Sequence, residues 1–550
     1  MTQFNLIDSP WLPALRSDGT VELIPPRRIV EQDGYGFHGL AAPRAAFNGA
    51  LMQFLIGLLQ TAFAPPDDKT WRRYYDTPPT PEELDGAFGR YRDAFDLDGN
   101  GPRFMQDFQM PEGEEKPIAG LLMDAPGGNT LRNNQDHFIK RGSANTLCPV
   151  CAAAALHCLQ TNAPSGGQGH RVGLRGGGPL TTLVIPAQGA PSLWRQVWLN
   201  VLPEADFRAK ESADAPHGVA DIFPWRAPTR SSEGNRKTTP PEADLLQMYW
   251  GMPRRIRLQF GGAGVCDLCG AAAEPLATGF VTKNFGVSYD GWRHVLSPYA
   301  GKDGEPELPV HGQPGGAGFR HWVGWVVGEN GKYRKTPAMV VSDHRDSPVK
   351  REIASILWAF GYDMDNMKAR AWVESRMPLV HGEEEAREAF EDASRELVHG
   401  AMSVAGNLRE AVKNALYGKP EISEGGKIAW KFPPSAKLEG AHADALASAY
   451  WRGAEAGFWE HLRRLQAAFL ADRAAVDACK ESWLAELSSH AEKVFGQFAE
   501  RGGEENDRVK ALVLARAQLG WFNRGDALRK VMHLPPKEGK QPGKSKGGKS

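Results

Sequence analysis

From residue 383 to about 522 the apolar side chains recur every three or four positions, and no other feature limits the possible folds as strongly. Phe390, Ala393, Leu397, Ala401, Val404, Leu408, Ala411 and Ala415 step through the first stretch. Leu446, Tyr450, Phe458, Leu462, Leu465 and Phe469 repeat the step, as do Val476, Cys479, Trp483, Leu487, Val494 and Phe498. Val509, Leu512, Leu519 and Phe522 make a fourth run. An α-helix turns once in 3.6 residues, so this spacing gathers apolar groups on one face, and that face must be covered. Four such helices with short polar connections cover one another, which predicts a four-helix bundle over 381–530. Residues 531–550, closing on "PKEGKQPGKSKGGKS", are basic and of low complexity and predict a disordered tail. The last eight, "GKSKGGKS", satisfy GxxxxGK[ST]. A working phosphate loop needs a strand before it and a helix after it, so solvated lysines are expected instead.

Residues 1–380 read differently. Most of the chain's turns, drawn from 61 glycines and 40 prolines, fall here, and short strand patterns alternate with helix patterns. "FNLIDSPWLPALRSDGTVELIPP" predicts two strands around a Ser17-Asp18-Gly19 turn. A helix is expected over roughly 43–63, and strands at "PLTTLVIP" and "RIRLQF". The fold class is therefore α+β: a large mixed domain followed by an all-α one, as 550 residues require more than one core. The run "GALMQFLIGLLQTAFA" is interrupted by Gln53 and Gln60 and is short for a membrane span, so it is expected to be a core helix. The start "MTQFNLIDSPW" lacks a signal-peptide pattern, and a cytoplasmic protein without membrane partners is expected. The net charge of −1 requires any nucleic-acid surface to be local.

Four of the six cysteines stand in two CxxC pairs, Cys148 with Cys151 and Cys266 with Cys269. Two thiolates at that spacing can share one tetrahedral ion, and Gly270 suits the tight turn of a zinc knuckle. Four sulfur donors leave no open position, so the expectation is structural zinc, against the alternative of four buried free thiols. His157 and Cys158, one or two helical turns past Cys151, are alternative ligands by position but are expected in the core. No HExxH, GxSxG or paired-carboxylate motif appears, and the His344-Arg345-Asp346 stretch is a weak substitute. A non-enzyme is expected.

The segment "APSGGQGHRVGLRGGGPLTT" (163–182) holds seven glycines. It fails GxGxxG, and it is anchored between the first cysteine pair and a strand, which argues against a free linker. Glycine lets backbone approach another surface, and Arg171 and Arg175 suit phosphates. Nucleic-acid contact and a structural turn are equally compatible with these residues.

Several segments in order carry a family resemblance: "FNLIDSPWLPALRSDG", "NNQDHFIKRG", "CPVC", "GLRGGGPLTT", "CDLCG", "TGFVTKNFGVSYDGWRHVLSPY" and "FGYDMDNMKARAWVESRMP". Together they resemble the CasA family, the large subunit of the type I-E CRISPR surveillance complex Cascade. The resemblance implies a non-catalytic subunit that reads the protospacer-adjacent motif in duplex DNA from the minor groove. It implies help in duplex opening and R-loop formation, and recruitment of a separate helicase-nuclease in antiviral defence. The implied partners are the other Cascade subunits, CRISPR RNA, double-stranded target DNA and that helicase-nuclease.

By position in these motifs, the family's reading loop falls on Gly167, Gln168 and Gly169, and its lysine on Asn284 or the adjacent Lys283. Its wedge falls on Asn366, Met367 or Lys368. Phe138, Lys140 and Arg141 fall in the loop that engages the guide handle and flanking DNA, with Arg171 and Arg175 as further phosphate contacts. Zinc on Cys148, Cys151, Cys266 and Cys269 would hold these segments in register. The alternatives are a zinc-containing nucleic-acid hydrolase and a purely structural scaffold subunit.

Overall fold

The computed structural model describes residues 4–31, 36–109, 112–125, 142–167, 169–187, 189, 191–209, 211–313, 315–365, 368–382, 384–499 and 506–536. Contacts divide the chain into two units, 1–317 with 324–379, and 318–323 with 380–550. The six residues 318–323, which the sequence reading leaves in the first domain, pack with the second: Phe319 lies 4.5 Å from Phe458, ring stacked on ring.

The first unit is built around the Ala45–Ala62 helix. This helix is long and apolar enough to cross a membrane, but 83% of it is buried inside the fold, as expected for a core helix. Its Phe54 ring is surrounded edge-on by Trp11 at 4.9 Å, Phe104 and Trp250 at 5.8 Å and His157 at 5.9 Å. The two glutamines are tolerated because both are bonded: Gln60 exchanges hydrogen bonds with the Leu202 backbone at 3.0 and 2.8 Å, and Gln53 donates to the Gly49 carbonyl. Ahead of this helix, Leu12–Arg16 pairs antiparallel with Val21–Ile24 around the expected turn, whose Gly19 has φ +84.

Two three-stranded antiparallel sheets carry the loops of interest. In one, Ser355–Asp365 lies between Thr181–Pro186 and Lys368–Pro378. In the other, Leu276–Lys283 lies between Glu114–Pro117 and Arg255–Gly261. The Thr181–Pro186 strand is buried from Thr181 to Ile185, which explains its uninterrupted apolar and threonine sequence.

The second unit contains four long helices, Arg387–Tyr417, Gly440–Phe469, Arg473–Ala499 and Asn506–Asn523. All eight apolar positions expected to face inward on the first are buried. Polar atoms on the inner faces find backbone partners: the Trp483 indole donates to the Leu397 carbonyl at 3.0 Å, and the Tyr450 hydroxyl to Ala401 at 2.9 Å. The fourth helix corrects the sequence reading. Val509 and Phe522 are 48% and 46% exposed, whereas Ala511, Ala515 and Leu519 are buried. Leu519 is buried as expected and Leu512 half-buried, so the expected face is rotated toward Ala511 and Ala515, which the period alone does not decide.

The connection at 418–439 is not merely polar: Lys419–Ile422 pairs with Ile428–Lys431, and Trp430 donates to Gln518 at 2.8 Å. The ordered chain also runs further than expected. Helix Asp526–Val531 is followed by Met532, fully buried in a notch where a Cβ on Gly400 would stand 2.7 Å from its sulfur. Arg529 donates to the Pro535 carbonyl at 2.7 Å and to Glu481 at 2.6 Å. Met532 and Leu534 are thus buried within the span expected to be tail, correcting its boundary; 537–550 lie outside the described residues.

Candidate functional site

The two CxxC pairs meet. Cys148 caps the Pro149–Asn162 helix, and its sulfur accepts the Cys151 N–H at 3.4 Å. Cys266 to Gly270 form a tight turn in which the Gly270 N–H donates to the Cys266 carbonyl at 2.9 Å, with Gly270 at φ +74. The segments are joined beside the cysteines: Leu147 and Ala277 exchange backbone hydrogen bonds at 2.9 and 2.8 Å, and the Asp267 carboxylate accepts from the N–H groups of Asn145 and Thr146 at 2.6 and 3.0 Å.

All four sulfur atoms lie within 4.8 Å of one another, with Cys148 and Cys269 3.6 Å apart. Tetrahedral zinc at a Zn–S distance of about 2.3 Å sets sulfur atoms about 3.8 Å apart, so the donor set fits the ion in number, element and spacing. Hydrogen bonds from Cys148 and Cys151 hold the Cys266 thiol far below its ordinary value, while hydrogen bonding to Cys148 and Cys266, with burial, pushes Cys151 up. His157 and Cys158 are core residues as expected, 1% and 2% exposed.

The glycine segment leaves the Pro149–Asn162 helix and is closed at its base by Gly173 N–H on Ala163 at 2.8 Å and Gly178 N–H on Asn162 at 3.0 Å. Its near end rests on the end of the Leu276–Lys283 strand. The Gly169 carbonyl accepts the Phe285 N–H at 2.8 Å, and a Cβ on Gly169 would stand 2.7 Å from that of Asn284. Gly167, at φ +72, faces open space, with no described atom within 4 Å of a Cβ placed there. Lys283 and Asn284 are exposed. The far end is wedged against the Ser355–Asp365 strand: a Cβ on Gly178 would stand 2.7 Å from the Tyr362 Cβ and 2.8 Å from Met364 Cγ. His311 donates to the Gly177 carbonyl at 3.0 Å on the same side.

A clamp holds the near end. Arg171 donates through Nε and Nη2 to the Ser232 hydroxyl and carbonyl at 2.7 and 3.0 Å, with its guanidinium carbon 6.0 Å from the centre of the Phe285 ring. The Ser232 N–H donates to the Phe285 carbonyl at 3.3 Å. Phe285 has φ +64, a conformation costly for a side chain of this size and sustained only where its surroundings over-determine it.

A family model for the CRISPR-associated protein Cse1 matches residues 5–494. The chain belongs to the Cse1 family. This is the CasA family of the sequence motifs, the large subunit of type I-E Cascade. CasA/Cse1 of Thermus thermophilus is 27% identical over 284 residues, which are 50% of this chain and 53% of that relative; the chain thus spans about half the length of this Cse1 relative. The crystal structure of Thermus thermophilus CasA matches with a TM-score of 0.68 at 18% identity, over 95% of this chain and 99% of that one. Acidimicrobium ferrooxidans Cse1 matches at 0.67 and 19%, over 97% and 99%. A chain of a CRISPR RNA-guided surveillance complex matches at 0.65 and 16%, over 94% and 99%. At these identities the likeness is one of fold.

In this Cse1-family chain Gly169 packs against Asn284, exposed Lys283 is its neighbour in sequence, and the hairpin bearing exposed Lys368 packs against Gly178 of the same glycine segment. Gln168, Asn366, Met367, Phe138, Lys140 and Arg141 lie outside the described residues. Two expectations are corrected. Arg175 is 3% exposed and bonded to Thr181, Ser297 and Gln53, so it cannot meet a phosphate. Arg171 is half-buried and committed to Ser232. Arg175 holds the loop rather than a ligand, and Arg171 braces it through Ser232. Sequence reasoning missed Phe285 and Ser232, whose partners lie far off in the chain and leave no local pattern. His344 is fully buried and faces the Ser355 hydroxyl at 3.1 Å, a core contact with no surface for a substrate.

Proposed function

We propose that, as the Cse1-family subunit of Cascade, this chain reads the protospacer-adjacent motif in double-stranded target DNA from the minor groove. It thereby promotes duplex opening and R-loop formation and helps recruit the helicase-nuclease, in cytoplasmic antiviral defence. Sequence beyond the motif is left to the guide RNA. The observation that carries this reading is the glycine segment, open at Gly167 and held at Gly169 against Phe285 and exposed Asn284, which exposed Lys283 precedes. The minor groove is about 6 Å wide and offers mainly acceptors, so backbone N–H groups without side chains can enter, and Lys283 or Asn284 can donate there. The wedge is assigned to Lys368, at the start of the Lys368–Pro378 strand, with Asn366 and Met367 as the remaining candidates. The loop bearing Phe138, Lys140 and Arg141 is assigned to the guide handle and flanking phosphates.

The four cysteines are assigned structural zinc. Cys148, Cys151, Cys266 and Cys269 would hold the ion, whose chemistry is cross-linking alone, since four sulfur donors leave no position for water or substrate. That donor set also weighs against a hydrolase, and the subunit is read as non-catalytic. The four C-terminal helices are read as the family's four-helix bundle.

The test is target-DNA binding by reconstituted Cascade, with and without this chain, over a library of flanking motifs. Gly167→Leu is expected to remove motif-dependent binding while the complex still assembles. Gly167→Asn, which tolerates a left-handed backbone, separates strain from bulk. Normal discrimination by Gly167→Leu would overturn the assignment of the loop, and DNA cleavage by the purified chain would overturn the non-catalytic reading.

A further inference from the structure

Arg175 places a positive charge in the interior at the root of the glycine segment, and among the described residues no carboxylate pairs with it. Its three hydrogen-bond partners are neutral: the Thr181 hydroxyl at 3.0 Å, the Ser297 hydroxyl at 2.9 Å and the Gln53 side-chain carbonyl. A guanidinium carries five N–H donors, so these acceptors do not exhaust it. An interior charge without a counter-charge is among the costliest features a fold can retain.

Beside Arg175 lies a cavity of about 20 Å³, lined also by Gln53, His157, Gln160, Tyr249 and His294. Among the described residues the Tyr249 hydroxyl, on a residue 5% exposed, has no hydrogen-bond partner, and neither does His157 Nε2, on a residue 1% exposed. A tyrosine hydroxyl is a donor in search of an acceptor. His294 accepts the Leu296 N–H at its Nδ1, at 3.1 Å, which leaves the ring hydrogen of the neutral imidazole on Nε2. Burial holds both histidines below their ordinary range, so neither carries charge near neutral pH, and among the described residues Arg175 is the one cation lining the cavity.

We propose that this cavity binds a small monovalent anion of halide chemistry, held by the Arg175 guanidinium and the Tyr249 hydroxyl. Its size admits a particle of about one water and excludes carboxylates and phosphate. A water molecule would satisfy the hydroxyl but leave the charge; an anion answers both. The bound ion would tie Arg175 to the Ala45–Ala62 helix through Gln53 and to Tyr249, and so secure the strand-side root of the segment that carries Gly167 and Gly169.

Thermal unfolding of the full chain in chloride against gluconate, which is too large for the cavity, at constant ionic strength tests the proposal. The melting temperature is expected to rise with chloride, since a ligand of the folded state stabilises it by mass action. Tyr249→Phe, which keeps the ring, should raise the half-saturating chloride about tenfold, the loss of one hydrogen bond to a charged group. Arg175→Met should abolish the chloride dependence. Crystals soaked in bromide should show an anomalous peak between Arg175 and Tyr249, a readout that stands even if Arg175→Met does not fold. Water density in the cavity with no bromide peak, or a melting temperature indifferent to chloride, overturns the proposal.

Discussion

Phe285 shows how one residue can be fixed by remote partners. Its left-handed backbone is held by Gly169 on one side and Ser232 on the other, and Arg171 joins Ser232 to its ring. Arg171→Ala removes two hydrogen bonds from a charged donor, each worth about 1.5–3 kcal/mol in a partly buried setting. The surface it supports should then relax: reconstituted Cascade is expected to lose about tenfold or more in discrimination between flanking motifs. Binding to a target already opened at the motif should be unchanged. Equal loss on both targets would mark Arg171 as a general stabiliser instead. Burial lowers the pKa of His157 from 6.5 to about 3. The unfolded chain therefore binds a proton there that the folded chain refuses, and stability falls as pH drops from about 6.5 toward 3, by about 1.4 kcal/mol per pH unit. His157→Phe should remove that increment from the slope of denaturation midpoint against pH.

At the scale of elements, the cysteine cluster joins two segments that each lead into the candidate reading surface. Cys148 and Cys151 open the helix that ends in the glycine segment, and Cys269 lies seven residues before the Leu276–Lys283 strand that ends beside Gly169. On the zinc assignment proposed above, Cys266→Ser should reduce bound metal from one ion per chain to less than one by metal analysis. It should also speed amide exchange at the Leu147–Ala277 pair, which closes the join beside the cluster. Unchanged metal content and exchange would dismiss the four-cysteine site. The spacing of each CxxC pair was legible in the sequence, but their meeting was not. It depends on Asp267 bonding to Asn145 and Thr146, contacts across more than a hundred residues with no periodic signature. On the fourth helix of the second unit Leu519 is buried as its period predicts, but Val509 and Phe522 are exposed, and only packing turns Ala511 and Ala515 inward beside Leu519.

At the scale of the whole molecule, two separate cores predict separable stability. Phe54→Ala opens a cavity under Trp11, Phe104 and Trp250 and should cost about 3–5 kcal/mol. In calorimetry it should lower the transition of the first unit and leave that of the helical unit in place, and Trp483→Ala should do the reverse. A single transition shifted equally by both would show that the units unfold together. The net charge of −1 predicts weak DNA binding by the isolated chain, with most affinity supplied by the rest of Cascade. The change from mixed to helical architecture near residue 380, the two CxxC pairs and the family are legible in the sequence alone, because periodicity, short-range spacing and ordered motifs are local properties. Tertiary structure alone decided what its arginines do. Arg171 and Arg175 stand in a glycine-rich, phosphate-like context, yet one braces a strained phenylalanine and the other is buried as a cation beside a polar cavity. A side chain's role depends on what surrounds it in space, and those surroundings come from segments as distant as Gln53 and Ser297.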